Sequence, residues 1–135
     1  MNAGKPWDIV ERTFLFALNI IAFCEAYERS GGVRRLAWQL LDSGTSIGAN
    51  VEEGQAGQSR PDFISKYSIA LKEARESRYW LRLIIHSSRQ PIEHSHALCN
   101  EAEEIARILA AIIIKAKGIK PGENRPDEKG EHPPE

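Results

Sequence analysis

The sequence predicts an all-α protein: an antiparallel up-down-up-down four-helix bundle with a flexible C-terminal tail. Three observations carry that expectation. Apolar residues recur at three- and four-residue spacing from residue 7 to 117, and no stretch alternates convincingly as a strand does. Clusters of Gly, Pro and Ser cut this pattern into four segments. Short connections between long amphipathic helices make consecutive helices antiparallel neighbours. The 135-residue chain is 41% apolar and 27% charged, ordinary values for one globular domain. A chain of this length buries roughly two-thirds of its unfolded surface and needs no disulfide framework.

Pro6 and Asp8 are start signals for the first helix, and Ser30-Gly31-Gly32 ends it. Ile9, Thr13, Phe16, Ile20, Phe23 and Tyr27 form one seam along it, and Val10, Phe14, Ala17, Ile21 and Cys24 form a second seam beside the first. Their combined width exceeds what one partner helix covers. The second helix is expected from about Val33 to Gln55, with a stripe of Leu36, Leu40, Ile47 and Val51. Its interior Gly44 and Gly48 each cost about 0.8–1 kcal/mol relative to alanine, and close approach of another backbone is the simplest compensation.

Ser59 is the N-cap candidate of the third helix, with Asp62 three residues on and Pro61 in the first turn. This helix runs to about Ser88, with Phe63, Tyr67, Ala70, Ala74, Ser77, Leu81 and Ile84 as its inner seam. An adjoining stripe of Ile69, Glu73, Glu76, Trp80 and Leu83 has carboxylates in its middle, and Arg75, Arg78, Arg82 and Arg89 lie opposite. After Pro91 the fourth helix covers about Glu93 to Lys117, and Gly118 stops it. Residues 1–117 are thus read as the bundle domain and 118–135 as a flexible tail rich in Pro, Gly and charge.

Lys and Arg total 18 and Asp and Glu 19, a net charge of −1 that excludes a histone-like polycation and an acidic solvating protein. The tail holds three of the basic and five of the acidic residues, leaving 15 and 14 in the body. Cys24 and Cys99 lie far apart and make no zinc or redox spacing, so a reducing cytoplasm is expected. The longest uncharged stretch, Thr13 to Cys24, is too short for a bilayer of roughly 30 Å and lacks a cleavage site after it. It reads as a buried helix.

Catalytic chemistry finds little footing. Carboxylate-bridged metal sites in bundles use Glu-x-x-His on two helices, and Glu93-His-Ser-His96 supplies that spacing once, outside the expected core. Ser43, Thr45 and Ser46 have no histidine near them in sequence, and Asp42-Ser-Gly-Thr-Ser-Ile-Gly48 lacks the lysine and preceding strand of a phosphate loop. Between Arg60 and Arg89 seven basic residues face three acidic ones, and Arg75, Arg78, Arg82 and Arg89 are the candidate contacts to a phosphate backbone. The same charges also suit a solvated surface with ion pairs such as Lys72–Glu76. The broad apolar faces of the first and fourth helices predict homo-oligomerisation.

The segment Ser46-Ile-Gly-Ala-Asn50-Val-Glu-Glu53-Gly54 resembles the Ser-Ile-x-x-Asn-Ile-x-Glu-Gly signature of the 23S rRNA intervening-sequence protein family, also called four helix bundle or S23 ribosomal proteins. The resemblance reaches upstream through Gln39 and downstream through Ser59-Arg-Pro-Asp-Phe63 and Ile69-Ala-Leu-Lys-Glu73-Ala-Arg-Glu76-Ser-Arg-Tyr-Trp80-Leu. It implies a bacterial four-helix bundle that assembles as a homopentamer, with no catalytic residues to carry over. A relative of similar fold, the accessory variability protein of diversity-generating retroelements, is a basic pentamer that binds reverse transcriptase and nucleic acid. The near-neutral charge of this chain departs from it. The signature has a physical rationale. Asn50 and Glu53 lie one turn apart, as do Glu73 and Glu76 on the neighbouring helix, and a buried polar network joining the two helices would fix their register. Ser46 and Gly54 would bracket that layer.

The expected function is therefore a non-enzymatic, cytoplasmic homo-oligomeric interaction module, with RNA, DNA or a nucleic-acid enzyme as its partner. No cofactor, metal, small-molecule substrate or membrane partner is expected. The competing readings are a scaffold that binds only protein and a carboxylate-metal enzyme.

Overall fold

The computed structural model describes residues 6–119, and the tail expected at 118–135 lies, from residue 120 on, outside the described residues. Four helices account for the fold: α1 (Pro6–Arg29), α2 (Arg34–Gln55), α3 (Arg60–Ser87) and α4 (Ser95–Ala116). Each packs on its neighbours in chain order, α1 also meets α4, and the diagonal pairs α1–α3 and α2–α4 do not touch. That is the antiparallel four-helix bundle, with no strand among the described residues.

Local chemistry sets the helix ends. α1 stops in a Schellman turn, in which Gly32 N–H donates to the Tyr27 carbonyl at 2.8 Å and Gly31 N–H to Glu28 at 3.0 Å. Gly31 takes φ +90°, a left-handed conformation that suits glycine. Gly118 repeats the device after α4, with Ile119 N–H reaching Ile114 at 3.2 Å. Ser59 caps α3, its hydroxyl accepting from the Asp62 N–H at 3.2 Å. α4 begins two residues later than the expected Glu93. After Pro91 the chain turns, Ser95 N–H donates to the Ile92 carbonyl, and His94 sits at φ 71° with no side-chain cap.

The core is the inner seam of every helix: Ile9, Phe16 and Ile20 from α1, Leu40, Ile47 and Val51 from α2, Tyr67, Leu81 and Ile84 from α3, Ile105 and Leu109 from α4. α2 approaches its neighbours most closely. A Cβ on Gly44 would lie 2.9 Å from Ile20, one on Gly48 would lie 3.3 Å from the Thr13 carbonyl oxygen, and one on Gly54 would lie 2.7 Å from the Tyr67 ring. At Gly48 the neighbour is backbone, as the sequence predicts; at Gly44 it is a side chain.

A buried polar layer does join α2 to α3, with a different membership from the one expected. Ser77 donates to Ser43 at 2.9 Å, and Ser43 donates on to the Leu40 carbonyl at 3.3 Å, with both residues buried. Ser77 also lies 2.9 Å from the Glu73 carbonyl, so both buried hydroxyls have partners where an unmatched one would be costly. Around the bundle, the α1–α4 seam is the least closed, pinned by a bidentate ion pair of Arg12 on Glu101 at 2.6 and 2.9 Å.

Two stability effects follow from this packing. Gly54→Ala forces a methyl group into the Tyr67 ring and should cost about 1–3 kcal/mol in urea unfolding. Ser43→Ala and Ser77→Ala should each cost about 1 kcal/mol, and the double variant less than their sum, because the hydrogen bond they share is lost only once. Strict additivity in the double variant would mean that the two hydroxyls do not interact.

Candidate nucleic-acid interface

α3 is packed by α2 on one side and α4 on the other, leaving an outward face. At three- and four-residue spacing that face carries Lys72, Arg75, Tyr79, Arg82 and His86, all exposed. The row spans about 21 Å at helical rise and contains no carboxylate. Among the described residues, no acidic oxygen lies within 4.0 Å of Lys72, Arg75 or Arg82, and the Lys72–Glu76 ion pair expected from spacing does not form. The ridge therefore carries three cations, Lys72, Arg75 and Arg82, with Tyr79 among them and exposed Glu76 on its α2 flank.

The arginine stripe expected from sequence is corrected at two positions. Arg78 turns away toward α4, half-buried, its guanidinium 4.0 Å from Glu103 and its Nε buried without a hydrogen-bond partner. One residue step of 100° suffices to move it off the ridge. Arg89 lies beyond the end of α3, in the loop before Pro91. Arg75 and Arg82 remain. Lys72, expected as an ion-pair partner of Glu76, joins them on the ridge, as do Tyr79 and His86, which share the same three- and four-residue spacing.

The signature residues gather along the outer seam of α2 and α3 rather than in the core. Asn50 is half-buried and donates to the Ser46 carbonyl within its own helix at 2.9 Å, while Ser46 donates to Asp42 at 2.7 Å. Glu53, Glu76 and Gln39 are exposed, so the expected buried network of Asn50, Glu53, Glu73 and Glu76 does not form in the single chain. Gly54 is buried beneath the Tyr67 ring, whose hydroxyl accepts from Gln55 at 2.8 Å. Glu73 is half-buried, and burial first, then the nearby Glu76 and Asp42 carboxylates, hold its pKa above the usual range against the pull of Lys72. Trp80 is half-buried against the core, edge-on to Tyr79 with ring centroids 5.3 Å apart. Beside these rings Gln39, Lys72, Arg75, Glu76, Tyr79 and Trp80 enclose an open hollow of about 500 Å³.

A larger hollow of about 1180 Å³ lies at the other end of the α1–α4 seam, floored by Phe23, Tyr27, Ile92 and Leu98. Among the described residues no three His, Cys, Asp or Glu side chains are placed to hold a metal ion, and Glu93 and His94 form only an exposed contact at 3.5 Å. No helix among them is long and apolar enough to cross a membrane. The apolar surplus on α1 is real: Phe14, Leu15, Leu18 and Ile21 stand exposed on one outward face, Phe14 at 54% and Leu18 at 47%. On α4 the residues that widen its inner seam, Ile108, Ile113 and Ile114, are not exposed: Ile113 is buried, Ile108 packs against the core and Ile114 is half-buried. Trp38, at the start of α2, is 63% exposed.

A family model described as 23S rRNA-intervening sequence protein matches residues 5–111. A solved structure from Bacteroides thetaiotaomicron VPI-5482, a protein of unknown function from the S23 ribosomal protein family, is 37% identical. It superposes with a TM-score of 0.72, over 80% of this chain and 96% of that one. No curated protein matches the chain.

The chemical prediction of this geometry concerns the thiols. Burial first, then the Glu28 carboxylate, pushes Cys24 up to about 11 from 9.0, and burial also raises Cys99. The folded chain therefore keeps the Cys24 proton at a pH where the unfolded chain has lost it. This stability is present below pH 9 and is lost as pH rises toward 11, at up to about 1.4 kcal/mol per pH unit. Cys24→Ala should flatten the fall of urea stability across that window; an unchanged slope would place its cause in other groups.

Proposed function

Because the chain belongs to the 23S rRNA-intervening sequence protein family, we propose a function free of catalysis: a cytoplasmic homo-oligomeric module that binds nucleic acid through the outward face of α3. The observation that carries this reading is the row Lys72, Arg75 and Arg82, none of them within 4.0 Å of a carboxylate oxygen, set at the corner of the bundle diagonal to the apolar face of α1. Arginine and lysine in a line recognise phosphates whatever the sequence of bases. A surface of like charge resists burial against its own copy, so the ridge suits a polyanion better than a self-interface.

Assembly belongs to α1. Phe14, Leu15, Leu18 and Ile21 make a contiguous apolar strip of the kind that marks an interface in a soluble protein. A second copy covers it, and the ring of five implied by the resemblance requires each α1 face to meet a different patch on the next subunit. Free Cys24 and Cys99 are in keeping with a reducing compartment.

Two measurements test this function. By light scattering after size exclusion, the natural chain should elute with the mass of five subunits, and Leu18→Glu should shift it to one. A monomeric natural chain would remove the assembly half of the proposal. By fluorescence anisotropy on labelled RNA and DNA, three phosphate contacts should weaken binding about 20- to 40-fold between 50 and 200 mM salt. The Arg75→Glu/Arg82→Glu variant should lose at least tenfold in affinity and most of that salt slope. Flat anisotropy at every salt would leave a protein-binding scaffold in its place.

A further inference from the structure

We propose that the α3 ridge selects single-stranded nucleic acid, one base stacking on Tyr79 beside Trp80 while Lys72, Arg75 and Arg82 hold the flanking phosphates. This rests on the nucleic-acid reading above and names the ligand class of the same site. Four features of the surface point to it.

Tyr79 is 50% exposed at the centre of the row, with cations three or four residues away on both sides. An aromatic ring interleaved with phosphate-binding cations is the arrangement by which unpaired strands are held, because every base offers a π-face. Tyr79 and Trp80 also meet edge-on, at an interplanar angle of 68°, so their contact covers one ring face of the pair where parallel stacking would cover two. A flat ring can lie there.

The hollow beside them measures about 500 Å³, within the roughly 300–1,000 Å³ range of small-molecule sites. Its wall includes the Gln39 amide, which donates and accepts, and the Glu76 carboxylate, which accepts from exocyclic amines. Unstacked bases are read by such edge contacts. Glu73 and Glu76 also bound the ridge on its α2 flank, repelling phosphates and keeping the backbone of the strand over the cations.

A duplex fits this surface poorly. Neighbouring helices pack 8–10 Å from a helix axis, so α3, flanked on both sides, cannot enter a major groove about 12 Å wide without its neighbours striking the DNA backbone. The major groove of A-form RNA is narrower still. A duplex would meet the cations with its phosphates alone, its bases stacked out of reach of Tyr79.

The test compares the natural chain with Tyr79→Ala, Tyr79→Phe and Arg75→Glu/Arg82→Glu by anisotropy. The probes are a twelve-nucleotide single-stranded RNA, the same sequence as DNA, and the matching duplexes, all at 50 mM salt. Circular dichroism checks the fold of each variant. The natural chain should bind either single strand at least tenfold more tightly than its duplex and lose tryptophan fluorescence as it does, a quench that Trp80→Phe should remove while Trp7 and Trp38 remain. Tyr79→Ala should narrow the single-strand-to-duplex ratio by about 5- to 100-fold, the loss of one stacked base, and Tyr79→Phe should restore it. A preference for RNA over DNA would add a 2′-hydroxyl contact to the same site. Equal affinity for strand and duplex, or a Tyr79→Ala ratio equal to that of the natural chain, overturns the stacking site while Arg75 and Arg82 still account for binding. No binding by any probe overturns both this inference and the reading beneath it.

Discussion

Where α2 passes α1, the Gly48 position lies tight against backbone, since a Cβ there would sit 3.3 Å from the Thr13 carbonyl oxygen and push it back by a few tenths of an ångström. Six residues on, Gly54 does the same for α3, beneath the Tyr67 ring. α2 is thus drawn tight against two different partners, and Ser43 and Ser77 lock the second of them with a buried hydroxyl pair. Glycine in mid-helix is unfavourable by itself, about 0.8–1 kcal/mol against alanine, so these positions persist because the close approach returns more than they cost. The larger consequence is directional. With α2 wedged between them, α1 and α3 occupy opposite corners, and their outward faces point away from each other.

That geometry was legible in the sequence to the extent that it depends on period and punctuation. Seam residues such as Ile20, Leu40, Tyr67 and Leu109 follow from 3.6-residue spacing, and Gly31, Ser59, Pro61 and Gly118 announce helix ends by their own backbone chemistry. What spacing could not supply was rotation to within a third of a turn. Arg78 shares heptad-compatible spacing with Arg75 and Arg82, yet one step around the helix sends it to Glu103 on α4, a residue more than twenty positions away. Asn50 and Glu73 were read as core because carboxylates interrupt an apolar stripe. The stripe runs along the rim of the α2–α3 seam, where half-burial suffices to raise the pKa of Glu73 without enclosing it. Ser43 and Ser77, smaller and less conspicuous, took the buried place because two hydroxyls satisfy each other in the space two methyl groups would fill.

Net charge concealed the ridge for a related reason. A chain at −1 appears indifferent to polyanions, but charge acts where it is placed. On α4, Glu101 is held by Arg12, Glu103 faces Arg78 and Arg107, and Glu104 meets Arg107, so these acids are committed to structural partners. Among the cations without a carboxylate within 4.0 Å, Lys72, Arg75 and Arg82 line up on the outward face of α3, with Glu73 and Glu76 on its α2 flank. A local field a Debye length deep, about 8 Å at physiological salt, is what a passing phosphate feels, and on that scale the acids of the far faces are screened.

The opposition of the two faces also decides how weak contacts become effective. Three cations on one helix would by themselves hold a phosphate backbone only loosely, in the range of nonspecific binding. In the proposed assembly, copies joined through α1 would present several ridges on the side away from the contact, and a strand long enough to reach a second ridge would bind it at high effective concentration, multiplying affinity without any new contact. The coupling runs in both directions: a strand that bridges subunits favours the assembled state by the same factor by which assembly favours the strand. An apolar face and a basic face on one helix would compete for the same space. Placed on diagonal helices by the glycines of α2, each leaves the other free to act.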